Sequence, residues 1–210
     1  MKPYRDFFKR AVDIAVSGTA LLVLLVPLSV VTVWLHFANK GAGAFFRQER
    51  PGKGGRIFRV IKFKSMTDER DANGELLPNA QRLTKVGAFI RKTSIDELPQ
   101  LWNVLCGDMS LIGPRPLLPQ YLPYYTERES TRHSVRPGVT GLAQVNGRNH
   151  LSWDDKLEFD AKYVESISFV NDCKILYRTV VNVFASKDID VAPKGVFLDV
   201  ERKNKIKDIK

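Results

Sequence analysis

The sequence predicts an α+β fold: a mostly helical domain carrying one β-hairpin, preceded by an N-terminal apolar helix broken at Pro27. Three patterns lead there. Apolar residues recur at helical spacing over 83–92, 95–105, 122–132, 153–166 and 170–185. Residues 45–50 and 56–66 alternate around Pro51-Gly52-Lys53-Gly54-Gly55, which reads as strand, turn, strand. Residues 14–39 hold no charged side chain, a longer run than the roughly 20 residues that span a bilayer. The expected division is a membrane segment over 1–40 and a globular domain over 41–210.

Lys2, Arg5, Lys9 and Arg10 precede the apolar run, and Lys40, Arg47, Arg50 and Lys53 follow it. A cleaved signal peptide, with Ala42-Gly43-Ala44 as its processing site, would have a shorter apolar stretch. A straight span would force one basic cluster to the side that Lys and Arg avoid. Pro27, near the middle of the run, removes a helix hydrogen bond and supplies a bend. Ser29 or Thr32 would satisfy the freed backbone groups. The favoured expectation is a re-entrant helical hairpin dipping into one leaflet. Residues 1–64 carry +9 of the chain's +10 formal charge, so the anionic partner is local, either lipid headgroups or phosphates. Cys106 and Cys173 show no metal or redox spacing and read as buried thiols in a reducing compartment.

The most informative stretch is Ser94-Ile95-Asp96-Glu97-Leu98-Pro99. Ser94 and Glu97 have capping-box spacing and Pro99 fits a first turn, so a helix is expected to start here. Its N-terminus would lower both acidic pKa values, so that one carboxylate could attack an electrophile while its neighbour holds a divalent cation. The plainer alternative is two acids capping a helix. Period two puts Lys62 and Lys64 on one strand face about 7 Å apart, either a phosphate clamp or a solvated edge. Pro114 and Pro116 stiffen the backbone around Arg115, which suits a preset phosphate grip or a structural loop. Residues 136–149 are Gly-rich and include Arg136 and Arg148. The helix at 170–185 either closes the core or lies on a membrane, and the last ten residues read as a frayed tail. The hairpin glycines make no P-loop, Asp188-Ile189-Asp190-Val191 is a chance likeness to a phosphatase motif, and His36, His133 and His150 are too scattered for a metal site.

Four blocks carry a resemblance to the bacterial sugar transferase family, the small monotopic phosphoglycosyl transferases. They are Lys62-Phe63-Lys64-Ser65-Met66, the Asp96-Glu97 stretch, Gly107-Asp108-Met109-Ser110-Leu111-Ile112-Gly113-Pro114-Arg115-Pro116, and Arg136-Pro137-Gly138-Val139-Thr140-Gly141, extended by Asn146-Gly147-Arg148. The short length and the segment 71–78 resemble the PglC-like subgroup that opens protein N-glycosylation. The resemblance implies transfer of a sugar 1-phosphate from a UDP-sugar to polyprenyl (undecaprenyl) phosphate, with release of UMP. It implies ping-pong chemistry through an aspartyl-phosphosugar on Asp96, with Glu97 as Mg²⁺ ligand. Lys62, Arg91 and Arg115 would hold phosphates, Asp160 would be a further active-site acid, and Arg148 would lie near the nucleotide. It also implies a monotopic protein on the cytoplasmic face of the bacterial inner membrane, contacting lipid, feeding downstream glycosyltransferases and binding no nucleic acid. Val26 precedes Pro27 where close relatives often have Ser, so the bend has less side-chain capping. The competing class is a membrane-anchored, non-catalytic binder of anionic lipid or nucleic acid, which would give Asp96, Glu97 and the fixed Arg115 no purpose.

Overall fold

A computed structural model describes residues 3–147, 150–185 and 196–207. A π-helical turn, Tyr4–Phe8, runs into α1 (Lys9–Val23), and α2 (Leu25–Ala38) follows at a bend of 63°. Among the described residues no single helix is long and apolar enough to cross a membrane; this bent pair passes that test together. The break falls at Leu24, not at Pro27, which is the third residue of α2. The displacement follows from proline chemistry. The ring of Pro27 excludes a bond to the carbonyl of Val23, so the helix opens upstream, and a first turn has no use for the missing N–H. Ser29 and Thr32 do not cap the break: they donate to Leu25 O at 2.8 Å and Leu28 O at 2.7 Å, inside α2. Leu22, Val23, Leu25 and Val26 are all exposed at the tip.

The roots of both arms are polar and docked. Asp13 is buried and accepts from Ser110 Oγ at 3.0 Å and Leu111 N at 2.9 Å. Arg10 donates to Val104 O and Leu105 O, carbonyls at the C-terminal end of α5 (Gln100–Cys106). Lys9 and Tyr4 both reach Asp172, which Tyr163 also meets. Past α2, buried Asn39 donates to Gly43 O at 2.9 Å and Lys64 O at 2.7 Å.

The expected hairpin forms: β1 (Phe45–Pro51) pairs antiparallel with β2 (Ile57–Phe63), with Lys62 opposite Phe46 and Phe58 opposite Arg50. The outer edge of β2 meets Asn103 of α5, which accepts from Ile61 N at 3.0 Å and donates to Arg59 O at 2.9 Å. One buried amide thus satisfies backbone groups that a third strand would otherwise serve. Val60, Val104 and Met109 pack beneath this contact.

Two short helices follow, α3 (Asn79–Arg82) and α4 (Lys85–Lys92), the second capped by Thr84, which accepts from Gly87 N at 2.9 Å. Gly87 permits close packing, because a Cβ there would stand 1.9 Å from Ser65 O. After α5, β3 (Ser110–Ile112) pairs in parallel with β4 (Gly138–Thr140). The expected helix at 122–132 is instead a 3₁₀ stretch Pro119–Tyr124, α6 (Glu127–Ser130) and a second 3₁₀ turn Thr131–Ser134. Pro119 and Pro123 withhold two backbone donors, and Thr126 starts a fresh helix with a complete capping box to Glu129.

The chain then builds α7 (Leu142–Val145), α8 (Trp153–Glu165), α9 (Phe169–Phe184) and α10 (Leu198–Lys207). On α9 only part of the apolar stripe closes the core: Ile175 is buried, while Phe169, Val170, Leu176, Tyr177, Val180 and Val181 are exposed. Where described, the expected frayed tail is helical instead. Residues 201–207 continue α10, whose first residue Leu198 is fully buried against Tyr121 and Leu157, and within the tail Arg202 pairs with Glu129 and Asp154. The cysteines are free and exposed, not buried. The segment 188–191 lies outside the described residues.

Candidate active site

The central acids stand on a turn, not on a helix. Ser94 has left-handed backbone (φ 58°) and makes no cap bond with its side chain. It reverses the chain between α4 and a 3₁₀ turn, Ile95–Glu97, and α5 begins only at Gln100. The expected capping box does not form, because the Glu97 carboxylate is drawn elsewhere. Its Oε1 accepts from Lys62 Nζ at 2.8 Å and Arg115 Nη2 at 2.7 Å, leaving Oε2 out of both contacts. The β2–Asn103–α5 bridge brings Lys62 alongside the turn. Arg115 extends from a loop that two prolines stiffen.

The two acids differ in acidity, where the sequence suggested both would be held low. Burial and the charge of Glu97 push Asp96 up to about 6, against the pull of Lys62, Arg115 and Arg91. Burial alone would raise Glu97, but Arg115 and Lys62 outweigh it and hold the carboxyl well below the usual carboxylate range. Glu97 in turn raises Arg115.

Arg91, on the last turn of α4, donates from Nε to Ser65 Oγ at 2.8 Å and feels the charge of Asp96. The structure therefore gathers Lys62, Arg91, Arg115, Asp96 and Glu97 around one point. Lys64 is not with them: it pairs with Asp68 and donates to Ala42 O, so of the two alternatives for Lys62 and Lys64 the clamp does not form. Asp160 lies behind the group. It is 3 % exposed and pairs with buried Arg132 at 2.9 Å, and Arg132 also donates to the carbonyl of Arg115. Asp160 therefore steadies Arg115 from the interior. Arg132 was not singled out from sequence, where one arginine in a polar segment carries no signal of burial. Arg148 lies outside the described residues.

Among the described residues no three His, Cys, Asp or Glu side chains form a metal cage. Two adjacent carboxylates, one with an oxygen outside its ion pairs, fit Mg²⁺, which takes one or two protein carboxylates and completes its shell with water and substrate phosphates.

A turn-borne carboxylate pair stands among three cations, and sequence comparison gives the family. The model for bacterial sugar transferase matches residues 4–186, and the chain belongs to that family. It is 54 % identical over 174 residues to the uncharacterized sugar transferase EpsL of Bacillus subtilis, covering 81 % of this chain and 86 % of that protein. It is 39 % identical over 190 residues to the undecaprenyl-phosphate galactose phosphotransferase of Salmonella typhimurium. It is 40 % identical over 190 residues to the UDP-glucose:undecaprenyl-phosphate glucose-1-phosphate transferase of Klebsiella pneumoniae. These matches cover 82 % and 86 % of this chain, which spans only 40 % and 41 % of those two longer proteins.

Proposed function

We propose that the protein transfers a sugar 1-phosphate from a UDP-sugar to polyprenyl phosphate, in two displacements at Asp96. The observation that carries this reading is the Asp96-Glu97 turn set among Lys62, Arg91 and Arg115. The printed names of the Salmonella and Klebsiella relatives support the same donor and acceptor classes. In the first displacement a carboxylate oxygen of Asp96 attacks the sugar-bearing phosphorus. The bond to the bridging oxygen breaks and UMP leaves with that electron pair. In the second, a phosphate oxygen of the lipid attacks the same phosphorus and Asp96 departs as carboxylate. Splitting the reaction lets a water-soluble donor and a lipid-borne acceptor use one nucleophile in turn.

Lys62 and Arg115 neutralise phosphate charge and fix Glu97, and Arg91 adds a third cation beside Asp96. Glu97 would hold Mg²⁺, which supplies Lewis-acid neutralisation of the diphosphate. The bent α1–α2 pair is read as a re-entrant anchor with its apolar tip in one leaflet of the bacterial inner membrane and the domain on the cytoplasmic face. Transfer would be the first membrane step of glycoconjugate assembly, with the product passing to downstream glycosyltransferases. The protein-glycosylation subgroup stays a proposal for the pathway. Incubation with UDP-glucose or UDP-galactose alone should give an acid-trapped adduct of one phosphosugar that Asp96→Asn abolishes. An adduct that maps to another residue refutes the assignment.

A further inference from the structure

The helix α10 lies past the residues 4–186 that match the family, yet it is docked on the segment that follows Arg115. Leu198, its first residue, is fully buried in a small apolar cluster with Tyr121 and Leu157. Leu117, Leu118, Tyr125 and Trp153 pack against that cluster. Polar contacts hold the helix around this leucine. The Trp153 indole donates to Val196 O at 2.9 Å, and Arg202 pairs with Glu129 at 2.7 Å and Asp154 at 2.6 Å. Lys203 Nζ stands 5.6 Å from the centre of the Tyr124 ring.

Two routes lead from this cluster to Arg115. Leu117 and Leu118 follow Arg115-Pro116 directly, and Pro116 and Pro119 restrict the backbone on both sides of them. A shift of the two leucines therefore carries to Arg115 with little slack between. The second route runs through Tyr125, whose hydroxyl accepts from Arg132 Nη1 at 2.9 Å. Nη2 of the same guanidinium donates to the Arg115 carbonyl and pairs with Asp160. Leu157 and Asp160 are one turn apart on α8, so the cluster and this ion pair share a helix face. Arg115 in turn holds Glu97 Oε1 from Nη2 at 2.7 Å. A planar guanidinium grips only when its fork is correctly aimed, so its seat matters.

We propose that α10, through Leu198, positions Arg115: it clamps residues 117–125 so that the guanidinium stays on Glu97 and aimed at the donor phosphate. Leu198 is a positioning residue, packed in its own cluster and acting through Arg115. The phosphate half of the proposal rests on the transfer reading above, whereas the seating of Arg115 on Glu97 does not. Truncating Leu198 leaves a void into which Leu117, Leu118 and Tyr121 relax, and the loop then loses its stop. Displacements of this kind, made far from the reacting atoms, cost an enzyme substantially because they misplace a group that must be aimed.

The test uses the full chain in lipid nanodiscs, with Leu198→Ala, Leu198→Met, Trp153→Phe, Arg115→Lys and the Leu198→Ala, Arg115→Lys pair. Leu198→Ala should raise the UDP-sugar KM about tenfold. Loss of folded enzyme alone would lower kcat and leave KM in place. Leu198→Met, close in volume, should restore most of the affinity. Trp153→Phe keeps a ring but loses the bond to Val196 O, so a smaller rise is expected. Because the effect passes through Arg115, Leu198→Ala should add less than about twofold on the Arg115→Lys background. An unchanged donor KM in Leu198→Ala, or effects that multiply fully in the pair, would overturn the proposal. A second readout needs no turnover: modification of Arg115 by phenylglyoxal, mapped by peptide and referred to exposed Arg59 in the same sample. It should be faster in Leu198→Ala than in the parent, and equal rates count against the clamp. A parent that transfers phosphosugar from no UDP-sugar, with Arg115 modification still faster in Leu198→Ala, refutes the transfer reading and keeps the clamp.

Discussion

Asp96 and Glu97 are chain neighbours whose surroundings push their acidities apart. Glu97 has two cations on one oxygen, and Asp96 has mainly burial and the charge of Glu97. In the proposed transfer the attacking form of Asp96 is the carboxylate, and its folded pKa is raised to about 6. Protonation on lowering the pH through 6 removes the nucleophile. Adduct formation from donor alone should therefore fall about tenfold per pH unit below 6 and reach a plateau above 7. Glu97, held low, should add no second limb above pH 3. A rate flat from pH 5 to 8 would show that Asp96 stays ionised throughout. Arg115→Lys keeps the charge but loses the planar guanidinium; kcat/KM should drop at least tenfold, about 1.4 kcal/mol, and unchanged kinetics would make the loop structural. Asp96, Glu97, Lys62 and Arg115 were legible in the sequence because each has short-range context: an acid pair, a strand period, flanking prolines. Arg132 and Asn103 were not, since what makes them matter is a partner 28 or 42 residues away.

The same S/T-x-x-E pattern occurs at Ser94–Glu97 and Thr126–Glu129, and only the second makes a capping box. The difference is tertiary. Glu129 reaches back to the Thr126 N–H at 2.8 Å, whereas the Glu97 carboxylate meets Lys62 and Arg115, a stronger competitor than one backbone amide. Local pattern therefore fixes where chain direction changes, and charge from elsewhere decides which way the acid points. Helix placement matters equally at α4, whose last turn carries Arg91. Gly87→Ala would drive a methyl to 1.9 Å from Ser65 O, forcing α4 off the strand end and pulling Arg91 from Ser65. It should cost about 1–3 kcal/mol of stability and lower activity as well. Gly18→Ala is the control: its Cβ would meet only Leu105 Cδ1 at an ordinary 3.8 Å inside α1, so the melting temperature should hold or rise. Equal effects of the two changes would mean that close packing at Gly87 is not what seats Arg91.

The basic flanks of the apolar segment suggested that both its ends share one face, and the folded chain supplies a physical reason. Arg10, Asp13 and Lys9 at the root of α1 bond to the domain, and so does Asn39 at the root of α2. Buried Asp13 alone accepts two hydrogen bonds from β3, and a charge in that position is costly to strand without them. A straight helix would carry one root about 30 Å from the other side of the bilayer and break one of these sets. We therefore expect the N-terminus and the domain on the same, cytoplasmic, face. Cys106 and Cys173 are exposed, so the measurement needs a Cys106→Ser, Cys173→Ser background with a single new cysteine at Arg5. A membrane-impermeant thiol reagent should leave it unlabelled in intact cells and label it after lysis. Labelling of intact cells refutes the hairpin. Pro27→Leu restores a backbone donor for the Val23 carbonyl and relieves the ring clash, favouring a continuous helix of spanning length. The docked roots oppose that straightening. The expected result is a mixed population, in which the protected fraction keeps activity and the externally labelled fraction, with Asp13 torn from Ser110, loses it. Full activity in an externally labelled protein would separate the anchor from the seating of Asp96 and sink the coupling argued here.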